Sequence, residues 1–240
     1  MKLNLKNTIA LFSIACLPIF TLSCHPKLSN GLRRNDLKRD VLMVTSKGSM
    51  VIRLSDSTPL HRDNFLKLVK QHYYDSVLFH RVIRGFMVQA GDPSSRQAPP
   101  GQRLGEGSPG YTVPAEFRSS LFHKKGVIAA ARTGDDVNPQ KASSGSQFYI
   151  VQGRVFTDAA LDSVETFRLK GRKLPAAHRE VYKTLGGAPH LDQNYTIFGE
   201  VISGLEVIDS IAATPTSGRT GGDRPLSDVR ILSVKLIRRK

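Results

Sequence analysis

From residue 41 almost to the C-terminus, short runs of β-branched and aromatic residues alternate with turn chemistry, and this pattern constrains the fold more than any other feature. Val41–Thr45 and Met50–Leu54 flank Ser46-Lys47-Gly48-Ser49, which predicts a β-hairpin. Strand-like residues return within Asp75–Asp92, at Val77-Leu78-Phe79 and Phe86-Met87-Val88. Gly126–Ala131 and Gln147–Gln152 flank a polar loop, Thr133–Ser146, and Thr196–Val201 and Val229–Ile237 complete the set. Two helical segments interrupt the series. One opens with Thr58 as N-cap and Pro59 at the first helical position, placing Phe65, Leu68, Val69 and His72 on one face. The other, Leu205–Ala212, gathers Leu205, Ile208, Ile211 and Ala212 on one side. Many short strands with two separated helices predict an antiparallel barrel, and no internal repeat is present.

The first twenty-four residues stand apart. Lys2 and Lys6 precede an apolar run, Thr8–Ser23, that is short of the ~20 residues needed to span a bilayer and has the layout of an export signal. The run ends in Thr21-Leu22-Ser23-Cys24, similar to a bacterial lipobox, in which a signal of residues 1–23 is removed and lipid is attached to the Cys24 sulfur. Thr21 departs from the Leu usual there. Cys16 is a rival, but cleavage before it would leave the apolar residues 17–22 exposed, and a plain secretory signal is the simpler alternative. The chain has 2 cysteines, too few for a disulfide framework or a multi-cysteine metal site. Residues 24–40 lack periodicity and are expected to form a flexible, lipid-anchored tether, with a reach of about 20–24 Å for sixteen residues. The expected location is the periplasmic side of the cell envelope, with a soluble periplasmic or secreted form as the alternative.

A formal charge of +15 raises nucleic acid as a partner. The basic residues are interspersed with acidic ones rather than gathered in an aromatic-studded stripe, and an export signal directs the chain away from nucleic acid, so that class is set aside. Gly105-Glu106-Gly107-Ser108-Pro109-Gly110 fits G-x-G-x-x-G, yet no strand leads into it and Pro109 and Pro114 forbid the helix a pyrophosphate needs. The seven histidines show no metal-ligand spacing, and no G-x-S-x-G nucleophile motif occurs. Neither a metal nor another cofactor is implied.

One constellation is specific. Phe79-His80-Arg81-Val82-Ile83-Arg84-Gly85-Phe86-Met87-Val88-Gln89-Ala90-Gly91-Asp92 resembles the signature of the cyclophilins, the cyclosporin-binding peptidyl-prolyl isomerases. Gly126–Arg132 followed by Ser144–Ile150, Tyr111–Phe117 and Leu191–Gly199 match in the same order, so the resemblance covers roughly Val41–Ile237. It implies a mainly β fold, an eight-stranded antiparallel closed barrel capped by two helices, over a domain of residues 41–240. It also implies a catalytic Arg81 and a proline slot at Phe86, Met87, Tyr149 and Leu191. Gln89, Gln147, Ala131 and Arg132 map onto groups that steer Arg81 and the substrate backbone, and His190 and Tyr195 fall beside the slot. The expected clients are proline-containing unfolded or partly folded proteins of the envelope. A non-catalytic cyclophilin-like binding module is the rival reading, and retention of Arg81, Phe86, Gln89 and Gln147 argues against it.

Departures from the family pattern carry information. His190 stands where many members have Trp or Phe, which implies weak cyclosporin binding through loss of an indole N–H and apolar area. Tyr195 replaces a His common in eukaryotic members, Tyr149 a Phe, and Ala90 a usual Gly, while Arg132 is shared with many bacterial forms. Residues 156–189 form an insertion where the family has a short loop. Leu161, Val164 and Arg168 keep a helical spacing, Pro175 begins a second segment, and Gly186-Gly187 ends it, which predicts a helical hairpin beside the groove.

Overall fold

Alternation of buried and half-buried residues from Val41 to Thr45 and from Met50 to Leu54 fixes the first hairpin. In the computed structural model, which describes residues 31–239, β1 (Arg39–Thr45) pairs antiparallel with β2 (Gly48–Leu54), setting Val41 opposite Ile52 and Met43 opposite Met50. Six further strands extend this pair: β3 (Arg81–Ile83), β4 (Met87–Ala90), β6 (Val127–Ala130), β8 (Phe148–Val151), β9 (Ile197–Ser203) and β10 (Ile231–Arg238). The two-residue strands β5 (Thr112–Val113) and β7 (Ser143–Ser144) pair separately. All pairings are antiparallel, in the order β10-β1-β2-β9-β6-β8-β4-β3.

The closed barrel expected from the sequence is corrected to an open half-barrel, because β3 and β10 are edges of the ladder. Between them the chain at Val77-Leu78-Phe79, expected as a strand, makes only the isolated bridge Leu78–Arg230 and a few flanking hydrogen bonds. The reason is local. Ser76 sits at φ +67, and the Leu78 N–H is diverted to the Ser95 hydroxyl at 3.0 Å.

Among the described residues four α-helices accompany the sheet: α1 (Pro59–Lys70), α2 (Asp158–Ser163), α3 (Ala176–Thr184) and α4 (Leu205–Ala212). The first and last are the two expected caps, with α1 against β9 and β10 and α4 against β2, β3 and β4. Phe65, Leu68 and Val69 join Val207, Ile208 and Ile211 in one core with Met43, Ile52, Val88, Phe148 and Ile150. His72, expected on the buried face of α1, is exposed because the helix ends at Lys70 and His72 itself lies at φ +55. Thr58 precedes the helix without capping it. Its hydroxyl is buried and has no partner among the described residues, and the Leu60 and His61 N–H groups donate instead to the Glu116 carboxylate at 3.2 and 3.0 Å.

The stretch 24–40 is not tether throughout. Leu32 is buried in the main core, Asp36 is paired with Lys70 at 2.6 Å, and Arg39 and Asp40 belong to β1. The export signal, Cys16 and Cys24 lie outside the described residues. Among the described residues no helix is long and apolar enough to cross a membrane.

The insertion forms a helical hairpin. α2 runs into a π-helical turn, Val164–Arg168, and the chain returns through α3. Phe156, Leu161, Leu169, Leu174 and Tyr182 make its own small core. Its ends are pinned together where Gly153 meets Gly187. A Cβ on Gly153 would lie 2.4 Å from Gly187 Cα, and Gly153 has φ +67, so only glycine fits on both counts.

Candidate active site

The strand register lays the groove out in a row. Arg81 on β3 is opposite Gln89 on β4, and Gln89 is opposite Tyr149 on β8, so these three side chains share one face of the sheet. Alternate residues of the same strands, Val82, Val88, Phe148 and Ile150, point to the main core. Met87, Ala129, Ala131, Tyr149 and Ile197 cluster on the other side with Phe86, Leu191 and Tyr195 packed against them. Both faces of β4, β6 and β8 are therefore covered, which explains why these strands are nearly unbroken apolar runs.

That second face floors an open groove of ≈ 580 Å³. Arg81, Phe86, Met87, Gln89, Ala131, Arg132, Tyr149, His190, Leu191 and Tyr195 all line it, which brings together every expected site residue of the domain except Gln147. Gln147 stands behind the lining. It accepts a hydrogen bond from the Gln89 amide at 3.0 Å and donates to the carbonyls of Gly105 and Gly107, both at 2.8 Å, so the two glutamines brace the 105–107 loop. A smaller cavity of ≈ 280 Å³, bordered by Leu54, Leu121, Phe122 and Ile197, holds none of the expected site residues.

Aromatic contacts set the walls. The Phe86 and His190 ring centroids are 5.3 Å apart, and Tyr149 meets Tyr195 edge-on at 5.8 Å. Arg132 lies over the Tyr195 ring at 4.6 Å, donates from Nε to the Asn194 carbonyl at 2.9 Å and is paired with Asp135. It is thereby held flat against the groove.

Arg81 is less tightly held than the expected steering by Gln89 and Gln147 implies. Its ion pair is with Asp223, Nε to Oδ2 at 3.4 Å, and its side chain is 42% exposed. The sequence reading missed Asp223. Its φ of +56 in the turn after Gly221-Gly222 is a conformation Asp tolerates, and that turn chemistry was the one available signal.

Electrostatically the groove is cationic, with Arg81, Arg103, Arg132 and Arg168 around it and Glu106 as the acidic lining residue. Burial first, and then the charge of Arg168, holds the His190 imidazole down at about 4. His80 is also near 4, chiefly through burial, and neither of its ring nitrogens has a hydrogen-bond partner among the described residues. Both rings are therefore neutral at physiological pH. Among the described residues no cluster of His, Cys, Asp and Glu is arranged to hold a metal ion. What the groove offers is an apolar floor, a permanent cation at its edge and fixed amide dipoles beside it. Those features suit binding and polarisation of a neutral chain more than proton or acyl transfer.

Residues 41–236 match the family model for cyclophilin-type peptidyl-prolyl cis-trans isomerases. The chain belongs to that family. A Staphylococcus saprophyticus protein classed as a peptidyl-prolyl cis-trans isomerase is 33% identical over 214 residues, covering 89% of this chain and 98% of the relative. A Staphylococcus epidermidis protein of the same class is 35% identical over 211 residues, covering 88% and 96%. The isomerase fold is also seen in the crystal structure of a Cryptosporidium parvum cyclophilin-type isomerase, at a TM-score of 0.61 and 22% identity, over 84% of this chain and 99% of that one. The same Cryptosporidium protein crystallised in the presence of the dipeptide Ala-Pro matches at 0.57 and 22% identity, over 82% and 98%. The protein is thus a peptidyl-prolyl cis-trans isomerase of the cyclophilin type.

Proposed function

We propose that this isomerase assists the folding of proline-containing cell-envelope proteins, with Arg81 stabilising the twisted amide over a slot made by Phe86, Met87, Tyr149 and Leu191. The observation that carries the reading is the position of a permanently charged guanidinium at the edge of that apolar floor, in register with Gln89. Rotating an X–Pro bond crosses a barrier of about 18–20 kcal/mol because amide resonance is lost. As the bond twists, the proline nitrogen regains a lone pair and becomes a hydrogen-bond acceptor. A guanidinium stays protonated and presents a fork of donors, so it can supply that bond without moving a proton. A charge-assisted bond of about 1.5–3 kcal/mol, made mainly in the transition state, accelerates the rotation roughly ten- to a hundredfold. The slot adds orientation and exclusion of water. Exposure of 42% leaves Arg81 free to turn from Asp223 toward a bound substrate.

Export and anchoring complete the proposal. The run Thr8–Ser23 and the lipobox-like Thr21-Leu22-Ser23-Cys24 support a lipid anchor on Cys24. Uncatalysed X–Pro isomerisation is slow enough to limit folding, which gives an envelope-tethered isomerase its task.

The decisive experiment compares wild type with Arg81→Ala by exchange NMR on a proline tetrapeptide. A fall in kcat/KM of about tenfold or more supports the Arg81 mechanism, and equal rates overturn it. Palmitate labelling that is lost in Cys24→Ser supports the anchor, whereas label persisting in that variant refutes it.

A further inference from the structure

We propose that the insertion builds a second subsite beside the proline slot, which takes an acidic side chain of the substrate peptide next to the X–Pro bond. The proposal rests on the reading of the slot given above. A cavity of ≈ 270 Å³ lies where the insertion meets the groove, and its walls include Phe86, Arg154, Phe156, Val164, Arg168 and His190. Phe86, His190 and Arg168 also line the proline groove, so the two spaces adjoin. Consecutive Cα atoms are about 3.8 Å apart, so a peptide with its proline over Phe86 and Met87 brings a residue one or two positions away to this mouth.

The charge pattern selects the occupant. The insertion holds four carboxylates, Asp158, Asp162, Glu165 and Glu180, and each is already engaged by Arg179, Lys173 or Lys183. Arg154 and Arg168 are left without a carboxylate partner among the described residues, and no carboxylate lines their cavity. Arg154 is held in place, its guanidinium 5.0 Å from the centroid of the Phe156 ring. Two guanidiniums around a half-apolar recess form a site for a carboxylate, since both are exposed to an incoming side chain and Arg presents matched donors. Both charges reach the shared wall, because Arg168 and Arg154 each act, after burial, to depress protonation of His190.

The test follows isomerisation by exchange NMR, which needs no coupling protease with a specificity of its own. The substrates are Ala-Ala-Pro-Ala-Ala frames carrying Glu, Gln or Lys one or two residues before or after the proline. At one flanking position wild type is expected to turn over the Glu peptide about fivefold or more faster in kcat/KM than the Gln peptide, with Lys slowest, and high salt should compress the difference. In the Arg154→Ala/Arg168→Ala double variant the Glu-to-Gln ratio should fall close to one, whatever happens to the absolute rates. Arg168→Glu should shift the preference toward Lys. A ratio near one at every position in wild type, with isomerisation intact, overturns the subsite and leaves the enzyme reading standing. If no peptide is turned over, the isomerase reading fails, and binding of the fluorescently labelled peptides decides the subsite: tighter Glu binding that is lost in the double variant supports it, and equal binding refutes it.

Discussion

The hydroxyl of Tyr149 lies 2.9 Å from Nε2 of His123, with both side chains buried directly beneath the groove. Nδ1 of the same imidazole is 2.9 Å from Asp192 Oδ1, and the other Asp192 oxygen accepts from the Tyr182 hydroxyl at 2.8 Å. A carboxylate only accepts, so Nδ1 is assigned the proton and Nε2 receives the Tyr149 O–H. Burial raises the phenols of Tyr149 and Tyr182 above their ordinary value, so both remain donors. The chain of bonds runs from α3 of the insertion to the floor of the proline slot. It gives a physical reason for Tyr where the family has Phe, since the added hydroxyl satisfies a buried imidazole.

Tyr149→Phe keeps the ring and the slot but leaves Nε2 of His123 buried without a donor. Stability should fall by about 1–3 kcal/mol, read from urea denaturation, while kcat/KM changes far less. A variant as stable as wild type would mean that water or a rotated His123 replaces the bond.

Glu116→Ala tests a cap supplied from a distance. The carboxylate accepts from the N–H groups of Leu60 and His61 and from His61 Nδ1 at 2.7 Å, and His61 Nε2 meets the Ser143 hydroxyl at 2.9 Å. Removing it exposes two helix-terminal donors and an imidazole to a dry environment, and about 2–4 kcal/mol should be lost. Thr58→Ala, by contrast, should be neutral or stabilising, because its buried hydroxyl has no partner among the described residues. Equal losses in both variants would return the capping role to Thr58.

These two residues mark the limit of what was legible beforehand. Strands β1, β2, β4, β6, β8 and β9 and helix α4 showed in the sequence because burial on one or both faces writes a local period or an apolar run. The insertion's hairpin showed for the same reason, through Leu161, Val164 and its closing glycines. Glu116 capping Leu60, fifty-six residues earlier, leaves no local mark, nor does Asp223 reaching Arg81. Leu32 looked like tether because one buried side chain cannot make a period. The open edge between β3 and β10 depends on Ser95 taking the Leu78 N–H, a contact seventeen residues apart.

Stability should fall as pH drops from about 6.5 toward 4. His80 and His190 are both held near 4 in the folded protein, each chiefly by burial. Their unfolded counterparts titrate near 6.5, so between those values the unfolded chain binds more protons and acid favours it. His61 is depressed by burial in the same direction. Around His80 the nearby Asp92 opposes the shift while Arg81 and Arg224 support it. His80→Phe removes one titrating ring, and urea denaturation across this window should then show a shallower slope. An unchanged slope would locate the acid sensitivity elsewhere.

His190 offers the last test, because it forms one wall of the proline groove and of the adjoining cationic recess at once. The neutral imidazole packs tilted on Phe86, with less apolar area than the Trp or Phe common at this position in the family. Cyclosporin should therefore inhibit wild type weakly, and His190→Trp should strengthen inhibition by about tenfold through an added indole N–H and apolar surface. Arg168 lines both spaces beside His190, so a larger ring there should cost the same variant part of any preference for an acidic residue beside the proline. A gain in cyclosporin affinity with the Glu-to-Gln ratio unchanged would show that the two spaces His190 borders act independently. Submicromolar inhibition of wild type would show that His190 already does what Trp does elsewhere.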